Sequence, residues 1–361
     1  MTGSLVLRID GRDYETWLSA SVDRAMGQEA GQFALSVTER WQAGDEPWPI
    51  RPGARCELFD AGERLITGWV DSYEPSISAT DHAVSVRGAS LTVDLADCSA
   101  VVPGGQLSGY SLAAIARLLA QPFGVSVVVE AGASASAGQA FPVVQITQGE
   151  RVAEVLGRLA ASLGLLLWDN AAGQLVIGRA GSSRSGTVLR MGENVLQAQA
   201  TLSHAGRYSD YILRSQIPGN DQVFGVAAAE VEGRARDTGI GRYRPLLIAN
   251  ESPADPALAR RRAAWEVATR MAKGISLRAT VPGWRQDDGR LWAINTLVAV
   301  DMPILGLGRE LLILSTGFRL DGGGRRTELV LAPPEALTPE PSDPAVTGAN
   351  GSVWSGLVSI N

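Results

Sequence analysis

Between Leu277 and Pro334 the chain is a train of short apolar runs broken by tight-turn residues, and few folds can absorb such a stretch. It reads Leu277-Arg-Ala-Thr-Val281-Pro-Gly283-Trp284-Arg-Gln-Asp287-Asp288-Gly289-Arg-Leu-Trp292, then Asn295-Thr-Leu-Val-Ala-Val300. It continues through Leu311-Leu-Ile-Leu-Ser-Thr-Gly317-Phe318 and closes with Thr327-Glu-Leu329-Val-Leu331-Ala-Pro-Pro334. Asp288-Gly289 and Asp321-Gly-Gly-Gly324 are hairpin turns by chemistry, because glycine takes the positive φ such turns need. Leu329 and Leu331 fall on one face and Glu328 on the other, the period of a half-buried strand. Helical periodicity is nearly absent, so these strands must close a barrel or pack as a sandwich. The stretch holds no nucleophile, metal cluster or phosphate loop, which marks it as structural.

Residues 1–100 read as β as well. Leu5, Leu7 and Ile9 alternate before an Asp10-Gly11 turn, and Phe33, Leu35 and Val37 alternate again. Pro47-Trp48-Pro49 is extended or looped, since proline drops out of ladders. Cys56–Phe59 and Leu65–Val70 form a hairpin across Asp60-Ala-Gly62, and Val84 and Val86 mark a further strand. Short strands at this spacing predict a small barrel. Leu65-Ile-Thr-Gly68-Trp69-Val70 also resembles Leu312-Ile-Leu-Ser-Thr-Gly317-Phe318, a weak internal repeat that two unrelated hairpins could share.

The middle of the chain has another character. Leu112, Ile115, Leu118 and Leu119 share a helical face that Gln121-Pro122 ends. Val125–Val129 reads as a buried strand and Ala131–Ala140 as a small-residue loop. Thr147-Gln-Gly-Glu150 has the form of a capping box. Behind it Val152, Val155, Leu156, Leu159 and Leu163 make an apolar stripe that Gly164 stops. Leu165–Trp168 and Leu175–Ile177 follow as a hairpin over Asn170–Gly173. Gln197–Leu202 and Tyr211–Gln216 return to strand, with a turn at Pro218-Gly219-Asn220. Asp255-Pro256 opens a helix over 254–273 with Leu258, Trp265, Ala268 and Ala272 inward. Strands before and after this helix are expected to share one barrel. Its Arg260-Arg261-Arg262 run reads as a solvated face, with contact to an acidic neighbouring subunit as the alternative.

The expected organisation is mainly β with an α+β insertion: a β-barrel domain over 1–100, an α+β module over 101–190, and a second β-barrel domain over 191–335. A Pro-rich linker and C-terminal arm occupy 336–361, where Trp354 and Leu357 are the natural anchors for docking on another subunit. The chain has 361 residues, a net charge of −6 and a sequence pI near 5.2, which argues against a sequence-independent nucleic-acid binder. Lys273 is its only lysine. That bias reads as a GC-rich genome, or else as interface building with arginine's planar fork. Cys56 and Cys98 are expected to be reduced thiols. No apolar run approaches the roughly 20 residues a bilayer requires and no signal peptide is evident, so a soluble, cytoplasmically made protein is expected.

Chemistry is hard to find. His82 and His204 are the only histidines, and neither has a second ligand at zinc spacing. There is no Gly-x-Ser-x-Gly elbow and no Walker loop. Asp287-Asp288 are better explained by a turn than by acid–base work. Ile304-Leu-Gly306-Leu-Gly308 has no helix behind it and reads as a strand turn. Aromatic residues are scattered rather than interleaved with basic ones. Trp284 and Trp292 are barrel core or barrel interface. No enzyme activity, cofactor or metal is expected.

The order Gly283-Trp284, an acidic turn, Gly289-x-Leu-Trp292-x-x-Asn295, two apolar strands and Thr327-x-Leu-x-Leu-x-x-Pro334 resembles the last barrel of phage baseplate hub proteins of Mu-like contractile phages. With the preceding segments in matching order, the resemblance covers roughly Leu5 to Leu337. It implies two tail-tube-like barrels per chain and a homotrimer that adapts a sixfold tail tube, or a distal tail protein, to a threefold spike, flanked by baseplate wedge proteins. It implies phage DNA passing through without specific binding, assembly in the host cytoplasm, a place in the virion and no membrane insertion. Trp284, Trp292, Arg261, Trp354 and Leu357 are the candidate interface residues. The competing readings are a tail-associated peptidoglycan hydrolase and a type VI secretion spike-like hub, with a carbohydrate-binding module a distant third.

Overall fold

Alternating apolar side chains become strands with one face buried. A computed structural model of the chain describes residues 5–27, 30–39, 50–77, 82–181, 183–215, 231–250 and 256–341. Pro47-Trp48-Pro49, Pro218-Gly219-Asn220, Asp255 and the arm with Trp354 and Leu357 lie outside these.

The first part of the chain supplies β1 (Leu5–Ile9), β2 (Arg12–Tyr14), β3 (Ser19–Ala25), β4 (Gln32–Glu39), β5 (Arg55–Asp60), β6 (Glu63–Ile77) and β7 (His82–Ser90). The β1–β2 turn at Asp10-Gly11 has φ values of 50° and 76°, and the β5–β6 turn at Ala61-Gly62 has 50° and 82°. Both match the left-handed pairs of a tight hairpin.

Next comes an α+β insertion: α1 (Val93–Asp97), β8 (Gln106–Ser108), α2 (Leu112–Ala120), β9 (Val127–Val129), α3 (Ser134–Ala137), β10 (Val143–Gln145), α4 (Val152–Ser162), β11 (Leu166–Asp169) and β12 (Leu175–Gly178). Its core is Leu112, Ile115, Val155, Leu156 and Ile177. The rest of the chain gives β13 (Ser183–Arg190), β14 (Gln197–Leu202), β15 (Asp210–Ser215), β16 (Val231–Arg236), β17 (Pro245–Asn250), α5 (Pro256–Lys273), β18 (Ile275–Pro282), β19 (Thr296–Met302), β20 (Leu307–Asp321) and β21 (Gly324–Ala332).

One 13-stranded sheet carries both ends of the chain. Its first unit runs β3-β4-β7-β6-β5-β1, and its second β14-β18-β21-β20-β19-β13. Numbered by chain order within each unit, these two series are the same. The only difference in sense is that β1 pairs antiparallel with β5 whereas β13 pairs parallel with β19. Each unit has one long strand with a bulge against its neighbour, between Val70 and Ser72 in β6 and between Ile313 and Ser315 in β20. An offset bond also recurs where the second strand of each unit begins: Leu18 N–H donates to Ser36 O at 2.9 Å and Leu196 N–H to Thr280 O at 2.8 Å. Both units bury their apolar faces in one cluster, with Leu7, Val22, Phe33 and Leu58 from the first and Leu277, Val300, Leu311 and Leu331 from the second.

The units are spliced edge to edge. Past the point where β19 leaves β20, Ser315–Leu320 pair with Ala25–Ala20 of β3. The α+β insertion sits between β7 and β13. A second insertion, the β16-β15-β17 sheet with α5 against it, sits between β14 and β18, which pair directly across it. The chain is mainly β, with its α-helices confined to the two insertions.

Several local expectations are corrected. Leu118 is exposed because the stripe of α2 is narrower than its apolar content. Val127–Val129 is an edge strand paired only with β12 and exposing Val128, not a buried one. Ala131–Ala140 holds a short 3-10 turn and α3 rather than a plain loop. Glu150 does reach back to Thr147 N–H at 2.9 Å, but that pair caps a turn. The helix starts later, where Glu154 accepts from Arg151 N–H at 2.9 Å. In α5, Leu258, Ala259, Ala263 and Ala272 are buried while Ala268 is exposed. β13, placed by the sequence in the 101–190 module, belongs to the large sheet, because its parallel partner β19 lies far along the chain.

Candidate functional site

A structural protein acts through surfaces, and three features of this chain bear on assembly. The first is a concave polar face on β20, β3, β4, β7 and β6. It is lined by small or paired groups, among them Ser21, Asp23, Gln32, Ser85, Arg87 and Arg319. Strand alternation puts them there, since Ala20, Val22, Phe33, Leu35 and Val86 fill the opposite face. Arg319 is held by Asp23 at 2.6 Å and Glu328 at 3.0 Å, so its charge is balanced locally.

The second feature ties the two units together. Asp60, at the β5–β6 turn, is 1% exposed and accepts from Arg285 Nη2 at 3.0 Å and from Arg325. Arg285 also reaches Glu63 at 2.5 Å, its guanidinium kept charged first by that bond and then by Asp60. Arg325 stacks 4.5 Å over Trp284. Nearby, Asn295, at φ 59°, accepts from Gly181 N–H and donates to Arg179 O, both at 2.8 Å, fixing the α+β insertion to the second unit. Sequence reasoning missed Asp60, Arg285 and Arg325. A carboxylate in a hairpin turn gives no sign of arginines more than two hundred residues away. Asn295 left a trace as the invariant-looking end of the Gly-x-Leu-Trp-x-x-Asn pattern.

The third feature is a pair of uncovered strand edges. Among the described residues Ser72–Ile77 pair only with β7, and β14 pairs only with β18.

Of the candidate interface residues, Trp284 and Trp292 are 2% and 4% exposed and lie in the shared core, so they present no free surface. Trp284 instead donates its indole N–H to Arg319 O at 2.9 Å and packs on Phe318. Arg261 is exposed on α5, while its neighbour Arg262 pairs with Glu340 and loses proton affinity through burial. Trp265 donates to Thr338 O at 2.7 Å. These two contacts lay 338–340 along α5.

His204 is exposed, and among the described residues no cluster of His, Cys, Asp or Glu could hold a metal. Asp288 is exposed and bound to Arg290, whose hydrogen bond holds the carboxyl below its usual range. That is a turn, not a proton-transfer dyad. Cys56 is buried and free, its thiol pushed up to about 12 by burial. No helix among the described residues is long and apolar enough to cross a membrane.

Known proteins share this arrangement. Residues 4–90 match the N-terminal domain described as Mu phage baseplate assembly protein GpP-like, 92–179 the second domain of baseplate hub protein gp44-like, and 255–340 the fourth domain of Mu phage baseplate assembly protein GpP. Over 350 residues, 95% of this chain and 91% of the relative, the sequence is 34% identical to baseplate hub protein gp44 of Escherichia phage Mu. The chain belongs to the Mu-like baseplate hub family. A solved 43 kDa tail protein of prophage MuSo2 from Shewanella oneidensis is 35% identical to this hub. It superposes with a TM-score of 0.80 over 94% of this chain and 100% of that one. The E. coli c3393 protein, described as a component of the type VI secretion system, shares the fold at 11% identity, TM-score 0.57, over 93% of the hub and 79% of its own chain. The relatives are named as structural hub and tail proteins, and this hub is a structural protein of the phage tail baseplate, not an enzyme.

Proposed function

We propose that three copies of this hub form a ring whose wall is six equivalent β-units, each a tail-tube-like barrel. Such a ring matches a sixfold tail tube or distal tail protein on one side and a threefold spike on the other. The observation that carries this reading is the repeated strand order β3-β4-β7-β6-β5-β1 and β14-β18-β21-β20-β19-β13 within one chain. Two equivalent units per copy turn threefold symmetry into sixfold geometry, which a single unit could not do.

The concave face of Ser21, Asp23, Gln32, Ser85 and the charge-balanced Arg319 is the channel wall in this reading. Binding duplex DNA strongly needs unpaired basic groups that displace counterions. A wall of hydroxyls and ion pairs lets phosphate slide past. The two insertions face outward, where α5 and its exposed Arg261 meet baseplate wedge proteins. Assembly takes place in the host cytoplasm, before the contractile tail delivers DNA through the ring.

Native mass spectrometry tests this reading. The expected species has three times the 38.0 kDa chain mass. A particle that stays monomeric at all concentrations, with or without its tail neighbours, overturns it.

A further inference from the structure

The repeat assigns partners to the two bare edges. Aligning the bulges makes Ser72–Ile77 of β6 equivalent to Ser315–Leu320 of β20. Following the registers outward makes Phe33 equivalent to Leu277 and Val22 equivalent to Ala200. Faces agree throughout. Ser19, Ser21 and Asp23 lie on the polar side of β3, as Gln197, Gln199 and Thr201 do on β14. Within the chain, β20 is already covered by β3. The equivalent stretch of β6 is uncovered among the described residues, and so is β14, the equivalent of β3.

From this geometry we infer that β6 of one hub adds to β14 of the next, in the register of the β20–β3 junction. Each pair in that junction has its counterpart. Thr316 opposite Arg24 becomes Tyr73 opposite Leu202. Gly317 opposite Asp23 becomes Glu74 opposite Thr201, and Phe318 opposite Val22 becomes Pro75 opposite Ala200. Arg319 opposite Ser21 becomes Ser76 opposite Gln199, and Leu320 opposite Ala20 becomes Ile77 opposite Ala198. The inference rests on the ring reading above and gives its subunit contact a residue-level form.

Two independent features fit. Ile77 is 76% exposed and Leu202 56% exposed, unusual for apolar residues on strands. The register covers both, setting Leu202 against Tyr73 and Ile77 against Ala198. Second, Met26 N–H donates to Leu314 O at 2.8 Å, so Thr316, Phe318 and Leu320 exchange bonds with β3. By equivalence Tyr73, Pro75 and Ile77 point their backbone groups at the bare edge. Proline without an N–H belongs on an edge, where it takes no bond from the ladder with β7. Exposed edges of this length invite strand addition, and an identical copy brings the complementary edge with it.

Ser76 and Gln199 fall at a non-hydrogen-bonded pair, where Cα atoms lie about 4.5 Å apart, within the range of a disulfide. The test is the Ser76→Cys/Gln199→Cys variant of the full chain, oxidised gently and run on a non-reducing gel, with each single variant as control for Cys56 and Cys98. Covalent trimer is expected, roughly tenfold above the off-register Ser76→Cys/Thr201→Cys variant, because a two-residue slip exceeds disulfide reach. A native trimer that forms no in-register cross-link overturns the strand pairing and leaves the ring reading standing. Absence of any trimer by native mass overturns both.

Discussion

The two β-units of the hub have the same strand order but different surroundings. In the first, β3 and β4 are joined by a few residues; in the second, the equivalent β14 and β18 are separated by a three-stranded sheet and α5. The pairing between them is unchanged, six residues against six in the same sense. Strand register is set by the buried face and by the bulge, so an insertion at a connection leaves the sheet intact. The units also solve one packing problem in opposite ways. Opposite Phe33 the sheet carries Gly88, whose missing Cβ leaves room for the ring; a Cβ there would come within 2.5 Å of it. At the equivalent pair Leu277 faces Leu331, both fully buried.

The largest test of that equivalence is truncation at the matched pair. Phe33→Ala is expected to cost about 3–5 kcal/mol and Leu277→Ala about 2–5 kcal/mol, measured by denaturant unfolding. Because the two lie in one shared core, a single cooperative transition should shift in both variants. Two separate transitions, each moved by only one variant, would break the comparison.

A smaller effect should come from the second insertion, which has no counterpart in the first unit. There Arg207 forks onto Asp237 at 2.8 and 2.9 Å, with the carboxylate 1% exposed. Removing the arginine leaves that charge buried, so Arg207→Ala should loosen the insertion by about 3 kcal/mol. Amide exchange should rise in β15–β17 and stay unchanged in β4 and β7. The arginine's hydrogen bond holds the Asp237 carboxyl below its ordinary range. The pair's contribution is therefore present above the unfolded value near pH ~3.9 and is lost as pH falls through the depressed folded one. Acid should open this insertion in the parent chain and do little more in the variant.

The smallest effect separates the two bulges. Leu314 occupies the bulge of β20 and Asp71 that of β6. Burial, then the charges of Asp94 and Asp97, raises the Asp71 carboxyl above its usual range. A raised folded value means the ionised form opposes folding at neutral pH. Asp71→Asn should raise the melting temperature slightly at pH 7, and the gain should vanish in acid where the parent carboxyl is protonated. A loss at pH 7 would mean the charge is paired.

Much of the fold was legible because it is written in period two. Leu5, Leu7, Ile9, Phe33, Leu35, Val37, Leu329 and Leu331 are all buried as their alternation required. What failed was equivalence at a distance. Gly68-Trp69 matches Gly317-Phe318 as text, yet the bulges make Trp69 equivalent to Leu312. Local strand chemistry repeats anywhere, whereas register is fixed by partners elsewhere in the chain. The assembly features were hidden for the same reason. Asp60 meets Arg285 and Arg325 only after folding, and an edge is bare only relative to its sheet. Trp284 and Trp292 stood out as residues and turned out to be core, because large aromatic rings are the natural filling where two sheet segments meet.

The account depends on six equivalent wall segments around an open axis, and averaged electron-microscope projections of the purified particle down that axis test it most directly. They should show a hollow ring with six similar inner densities and threefold outer lobes from the insertions. A closed centre, or three inner densities instead of six, would contradict it.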